Sequence, residues 1–318
     1  MECSLEMIGS LLVEAERMVI TGHNHPDGDC LGSMLAIYDV LIGLGKDVTM
    51  LIDDEVPQAY DFLPGVRNIR RLGKELIDAD LLVVLDASDS DRIVGVKEAV
   101  NAKIVNIDHH ISNTKFADYW YIDSAAAATG EIIVQLIKLM KWPIIDDIAI
   151  NLYTAIAADS GFFRYANTTS ATLRLAADLV DCGATPHIIS EYLDTKPLSS
   201  IATMLKVMET LEICNGGQLA TITVLPETVE AGGESTEGLI NYPRNISGVE
   251  IAIMFKIVDT DTTRVSFRSR NADVSKLALQ FGGGGHIRAA GCTVDGAFTN
   301  TKQKVLSAAQ KLLAELTV

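Results

Sequence analysis

Short apolar runs and longer stretches of helical periodicity take turns through the first half of the chain. The runs are MVITGH, KDVTMLID, DLLVVLDAS and KIVNIDHH, built mostly from β-branched residues and leucine. Between the first two lies DCLGSMLAIYDVLIGLG, which reads as an amphipathic helix. Such alternation predicts βαβ units and a mainly parallel sheet, an α/β fold. From about residue 126 the pattern becomes helical, in AAATGEIIVQLIKLM, DDIAINLYTAIAADSG and SATLRLAADLVDCGA. A further stretch runs from His187 to Cys214, where Pro197 predicts a break into two helices. Beyond CNGGQ the texture changes again: LATITVL, VEIAIMFKIVD and TRVSFRSR predict strands, and NTKQKVLSAAQKLLAEL a closing amphipathic helix. The expected organisation is a parallel-sheet N-terminal domain over residues 1–186, a helical connector over 187–212 and a smaller α/β C-terminal domain over 213–318.

Ligands of open α/β sheets bind beyond the carboxyl ends of the strands, and polar residues collect there in this sequence. GHNHPDGD offers His23, Asp27 and Asp29 with the spacing H-x3-D-x-D; VVLDAS ends an apolar run on Asp86; NIDHH supplies Asp108, His109 and His110; AADSGF places Asp159 late in a helical pattern. Taken singly, each cluster has an ordinary reading. Asp27 and Asp29 suit a helix N-cap and first-turn acid, Asp86 suits the start of a turn, and histidine pairs are common on surfaces and in cores. Together they supply carboxylates and imidazoles without a thiolate nearby, a donor set for manganese or magnesium. Several ionised carboxylates share a pocket only if cations neutralise them. A pair of metals would do so, clamp phosphoryl oxygens and generate hydroxide at neutral pH. Cys30, beside the first cluster, reads as a small packing residue.

Composition narrows the partners. Lysine plus arginine number 26 against 42 aspartates and glutamates, a formal charge of −16. Such a surface repels a long polyanion, because duplex binding draws on a positive footprint; a small anion held with metal ions is compatible with it. The five cysteines are scattered, without zinc-ligand or redox spacing, and read as reduced thiols. The acidic start MECSLEMIGSLLVEAERM lacks the basic n-region of a signal peptide, and no apolar run reaches membrane-spanning length. A cytoplasmic protein is expected.

In this order the polar clusters resemble motifs I to IV of the DHH phosphoesterase family, named for the triplet found here at residues 108–110. GGGGHIRAAG, residues 282–291, resembles the signature of the associated DHHA1 domain, and SFRSR, residues 266–270, the strand before it. The resemblance covers nearly the whole chain. It is nearest to the stand-alone NrnA-like subgroup, bifunctional oligoribonucleases (nanoRNases) and 3′-phosphoadenosine-5′-phosphate (pAp) phosphatases; the additional domains of RecJ exonucleases and of membrane-bound cyclic-di-AMP phosphodiesterases are missing from this length. The resemblance implies that His23 and Asp27 bind one metal, that Asp29, His109 and Asp159 bind the other and that Asp86 bridges both. It implies two divalent ions, with manganese expected. Asp108 would orient a histidine, and His110 would face the substrate as phosphate contact or proton donor. His25 matches no ligand position.

A glycine-rich loop brings backbone amides close to an anion, though by itself such a loop is more often a flexible turn. Here Gly283, Gly284 and Gly285 lead into His286 and Arg288, and Arg268 and Arg270 have the period-two spacing that puts strand residues on one side. Either a solvated strand face or a phosphate-binding patch fits; the resemblance favours the patch, with Arg244 and Asn245 as weaker candidates. The expected activity is hydrolysis of short oligoribonucleotides or pAp by a metal-activated hydroxide, the C-terminal domain holding the nucleotide. Cyclic-dinucleotide hydrolysis, inorganic pyrophosphate hydrolysis and a non-catalytic nucleotide sensor are the alternatives. The glycine tract argues against the pyrophosphatase, and an intact ligand set against the sensor. Long duplex nucleic acid and membrane are not expected partners, and a homodimer is left open.

Overall fold

The computed structural model describes residues 1–228, 236 and 238–316, which form two compact units, Met1–Thr195 and Lys196–Val318. The 187–212 stretch divides between them: its first helix belongs to the N-terminal unit and its second to the C-terminal one.

In the N-terminal unit, β1 (Arg17–Thr21), β2 (Asp47–Ile52), β3 (Ile69–Arg71), β4 (Ile77–Leu85), β5 (Val100–Asp108) and β6 (Tyr119–Ile122) form one parallel sheet in the order β3-β2-β1-β4-β5-β6. Successive residues of β4 alternate between two cores. Leu81, Val83 and Leu85 join Met18, Ile20, Val105 and Ile107 on one face, while Leu82 and Val84 join Val19, Leu51 and Ile104 on the other. A run apolar at every position is what a parallel strand buried on both faces requires. Helices α1 (Leu5–Glu14), α2 (Gly28–Gly43), α4 (Thr129–Met140), α5 (Asp146–Asp159), α6 (Ser170–Asp181) and α7 (Pro186–Asp194) contribute to the first core, and α3 (Val94–Ala99) covers the second.

One expectation fails here. The α2 stretch was expected to be amphipathic, but every residue from Gly28 to Ile37 is buried. The helix lies between the sheet and α5, so it has no wet stripe along that length. Gly32 explains the close approach: a Cβ there would lie 2.3 Å from the Asn151 carbonyl oxygen of α5.

The C-terminal unit begins with α8 (Leu198–Met208), which Pro197 separates from α7. Its mixed sheet runs β11-β12-β10-β9-β8-β7, formed by β7 (Glu212–Cys214), β8 (Leu219–Val224), β9 (Ile251–Ile257), β10 (Thr262–Ser269), β11 (Gly284–His286) and β12 (Ala289–Asp295). Phe255, Val265 and Phe267 pack with α10 (Ser275–Gln280) and α11 (Phe298–Leu316); Ile222, Val224 and Met254 pack on the other face with Val207 of α8 and Ile240, just before α9 (Asn241–Arg244). Only the first half of the glycine tract, Gly282 and Gly283, is the loop that its composition suggests. Gly284–His286 is an edge strand paired antiparallel with β12. Gly285 has φ +138°, and a Cβ on it would meet the Ala289 carbonyl oxygen at 2.6 Å, so a side chain is excluded by the pairing itself. Among the described residues no helix is long and apolar enough to cross a membrane.

Candidate active site

Strand order 3-2-1-4-5-6 reverses direction between β1 and β4, and a crevice opens outside the strand ends at such a switch point. His23 follows β1, Asp86 follows β4 and Asp108 closes β5, so three of the clusters converge there by topology alone.

Asp27 is the N-cap of α2; its Oδ1 accepts from the amides of Asp29, 3.0 Å, and Cys30, 3.1 Å. The capping reading and the site reading therefore describe the same residue. His23 Nδ1 bonds the Asn24 carbonyl oxygen at 2.7 Å, which leaves Nε2 facing Asp27 Oδ1 at 3.7 Å and Asp86 Oδ2 at 3.4 Å. A backbone acceptor on one ring nitrogen fixes the tautomer in which the other presents a lone pair.

Asp86 is buried and stands at φ +57°, a left-handed conformation that costs an aspartate of order 1 kcal/mol. Its amide donates to the Ile107 carbonyl oxygen across the sheet, and the turn aims its two oxygens in different directions. Oδ2 faces His23, while Oδ1 lies 3.5 Å from His109 Nε2 and 3.0 Å from the Thr129 hydroxyl that donates to it. His109 Nε2 also lies 3.4 Å from Asp159 Oδ2 and 3.8 Å from Asp29 Oδ2.

Asp29 is fully buried, yet its oxygens are well served. Oδ2 accepts from the Thr129 amide at 2.6 Å; Oδ1 accepts from the Gly130 amide at 2.8 Å and the Ser33 hydroxyl at 3.2 Å. The amides belong to the first turn of α4, where unpaired N–H groups and the helix dipole favour negative charge. Two triads thus assemble, His23–Asp27–Asp86 and Asp29–His109–Asp159, in each of which one donor atom per residue lies within 4.8 Å of the others. Asp86, His109 and His110 form a third group on the same criterion.

Electrostatics reflect the crowding. Burial, reinforced by Asp86 and Asp159, pushes Asp29 well above the usual carboxylate range. Burial lifts Asp159 to about 6 against the pull of His109, with Asp86 and Asp27 adding to the rise. His23 is opposed by burial, but its bonds to Asp27 and Asp86 win and carry it to about 10. Without cations the cluster retains protons to relieve its own charge. The donor set is all oxygen and imidazole nitrogen, so these residues fit a pair of divalent ions that would displace those protons.

Asp108 stands behind this assembly rather than in either triad. Fully buried, it bonds His110 Nδ1 at 2.7 Å through Oδ1 and accepts from Asn113 Nδ2 at 2.6 Å through Oδ2. Burial alone would raise Asp108, but these bonds hold it below the usual range; burial would lower His110, and the same pairing raises it. His25 is exposed against Asp54, and Cys30 is buried against Met34.

The structure also holds contributors that the sequence reading passed over. Thr129, Gly130 and Asn113 orient three of the carboxylates directly. Thr129 opens α4 after an apolar stretch, and nothing local to its sequence marks it as more than a helix start.

In the C-terminal unit, the β10–β12–β11 register sets Arg268, Ala289 and His286 side by side, so Arg268 and His286 share one face of the sheet. Arg268 donates to the Phe267 carbonyl oxygen at 3.0 Å. Arg270 lies just beyond β10 and donates to the Ile246 carbonyl oxygen at 3.3 Å; Arg288 sits in the β11–β12 turn, near Gly283, Gly284 and Gly285 in sequence. Arg244 ends α9 and Asn245 caps it.

Comparison with known proteins adds two family matches. The N-terminal domain of the DHH family matches residues 17–156, and the DHHA1 domain matches residues 220–315. The chain is 34% identical over 92% of its length to a Thermus thermophilus protein named bifunctional oligoribonuclease and PAP phosphatase NrnA, of which 89% is covered. A Bacillus subtilis protein of the same name is 24% identical, covering 88% of this chain and 90% of that one. Among solved structures, an exopolyphosphatase-related protein from Bacteroides fragilis superposes with a TM-score of 0.88 at 24% identity, over 98% of this chain and 96% of that one.

Proposed function

Since the chain belongs to the DHH family and carries a DHHA1 domain, we propose that it hydrolyses phosphoesters of short oligoribonucleotides and of pAp. The activities named for its Thermus and Bacillus relatives support the substrate class. The DHHA1 match over residues 220–315 adds to the glycine tract in weighing against the pyrophosphate alternative. The observation that carries the reading is the pair of triads with Asp86 presenting one oxygen to each side.

In this proposal His23, Asp27 and Asp86 would hold one divalent ion, and Asp29, His109 and Asp159, with Asp86 shared, would hold the second; such oxygen-rich donors suit an ion such as manganese or magnesium, and manganese is the one proposed. When bound, the pair neutralises the carboxylates, acidifies water and draws charge from phosphoryl oxygens. The chain's own residues do the rest. The α4 amides and the Thr129 hydroxyl fix Asp29 and Asp86 before substrate arrives. Asp108 holds His110 by Nδ1, and this pairing raises the ring's pKa, which favours a proton on Nε2 for the leaving oxygen. Water adds to phosphorus, the ester P–O bond breaks, the leaving oxygen takes the His110 proton, and a proton from the water restores it. Arg268, Arg270, His286 and Arg288 of the C-terminal unit are proposed to bind the nucleotide, as point and bidentate anion contacts.

Chelated protein supplied with manganese, then offered pApA, pAp, cyclic di-AMP and pyrophosphate, tests the proposal. Turnover of pApA and pAp is expected, with chelated protein inactive. Activity confined to pyrophosphate, or undiminished after chelation, would overturn it.

A further inference from the structure

Beyond Asp86 the chain makes a short helical turn, Ser90–Ile93, before α3. Asp89 caps it, its Oδ1 accepting from the amides of Asp91 at 3.0 Å and Arg92 at 3.2 Å. Ile93 is buried in the core beneath the sheet and pins the turn from below. On the other side the Arg92 carbonyl oxygen accepts from the Asn24 amide at 2.8 Å, and the Asn24 carbonyl oxygen bonds His23 Nδ1 at 2.7 Å. The Arg92 backbone is therefore held one peptide away from His23.

Its side chain has an unusual situation. Arg92 is half-buried, and among the described residues its guanidinium has neither an ion pair nor a hydrogen-bond partner, although Asp89 and Asp91 flank it in sequence. Asp89 spends its oxygens on the cap and on the Ser88 hydroxyl; Asp86 and Asp108 are committed to the histidines, Thr129 and Asn113. Partial burial of an unpaired guanidinium is unfavourable, so the arrangement makes sense if an anion completes it. Five N–H donors in a planar fork match the non-bridging oxygens of a phosphate.

Resting on the hydrolase reading above, we propose that Arg92 is a substrate contact of the N-terminal unit: its guanidinium binds the reacting phosphoryl group beside the acidic cluster, next to the His23 segment to which its backbone is tied. Bound metals would neutralise the carboxylates, and Arg92 would add positive charge that no carboxylate of the cluster has claimed. Such a donor assists most as charge grows on the phosphoryl oxygens.

The test compares the full chain with Arg92→Ala and Arg92→Lys, all loaded with manganese. Inorganic phosphate affinity is measured by calorimetry, bound metal by elemental analysis and pApA hydrolysis by product release. Arg92→Ala is expected to weaken phosphate binding at least tenfold and to lower kcat/KM on the order of 100-fold, with metal content unchanged. Arg92→Lys should recover only part of either loss, because the charge returns without the fork. Phosphate affinity within twofold of the parent, or loss of bound metal from both variants, would overturn the proposal. A parent that binds phosphate through Arg92 yet hydrolyses none of the esters would instead overturn the hydrolase reading.

Discussion

Asp86 concentrates the logic of the site in one residue. It stands in a left-handed backbone conformation with one oxygen toward His23 and the other toward His109, and both contacts call for a charged carboxylate. Asp86→Asn keeps the shape and removes the charge; hydrolysis of pApA should fall by 1000-fold or more, on the order of losing a bridging contact to both ions, while thermal unfolding shows the fold retained. Thr129 acts one step further out, with its hydroxyl on Asp86 and its amide on Asp29. Thr129→Val deletes only the hydroxyl, and metal dissociation constants from a titration should rise roughly 10- to 100-fold, the usual cost of losing an orienting partner. Protonation gives an independent check. Asp159, at about 6, and Asp29, higher than usual, favour the protonated form in the metal-free folded state. Their stabilising contribution is present below the unfolded carboxylate range near 4; that of Asp159 is lost as pH rises through about 6, and that of Asp29 as pH rises through its own raised value. Metal binding reverses the sign by requiring the ionised forms. The manganese-induced rise in Tm should therefore be larger at pH 8 than at pH 5, and an equal rise at both would show that these carboxylates are not displaced of protons by metal.

Helix and strand termini supply nearly all the site, which is why so much of it was legible. An apolar run that stops abruptly on Asp86, or on the Asp108–His110 triplet, marks a strand end, and strand ends of a parallel sheet are where ligands sit. What escaped is set by contacts that sequence spacing does not encode. The α4 amides meet Asp29 across a sequence separation of 100 residues, and Arg92 lies in a polar turn like many others. The glycine tract misled for a physical reason: glycine suits a loop that approaches an anion and equally suits an edge strand pressed against its neighbour, and the β12 register decides for the strand. Likewise α2 alternates enough to look amphipathic, but α5 covers the face that solvent would have taken. That packing carries a prediction. Gly32→Ala puts a methyl against the Asn151 carbonyl oxygen, and the two helices must move apart. A loss of roughly 1–3 kcal/mol in urea unfolding is expected, with weaker metal binding as a consequence because α2 carries Asp27 and Asp29.

At the scale of the molecule, a charge of −16 sets the terms for any nucleic-acid substrate. Affinity for a polyanion grows with the number of phosphates neutralised, and this surface neutralises few. Turnover should be highest for dinucleotides up to about five residues, with kcat/KM falling off beyond and a salt dependence of about one or two released counterions. A ladder of labelled oligonucleotides at two ionic strengths measures both, and undiminished turnover of long strands would point to a processive exonuclease instead. The acidic cluster poses the central question, because so many buried carboxylates in one site require compensating cations. Counting the manganese bound per chain, after chelation and reloading, answers it most directly: two ions are expected for the parent chain and at most one for Asp86→Asn, whereas no bound metal in the parent, or an undiminished count in the variant, would contradict the account.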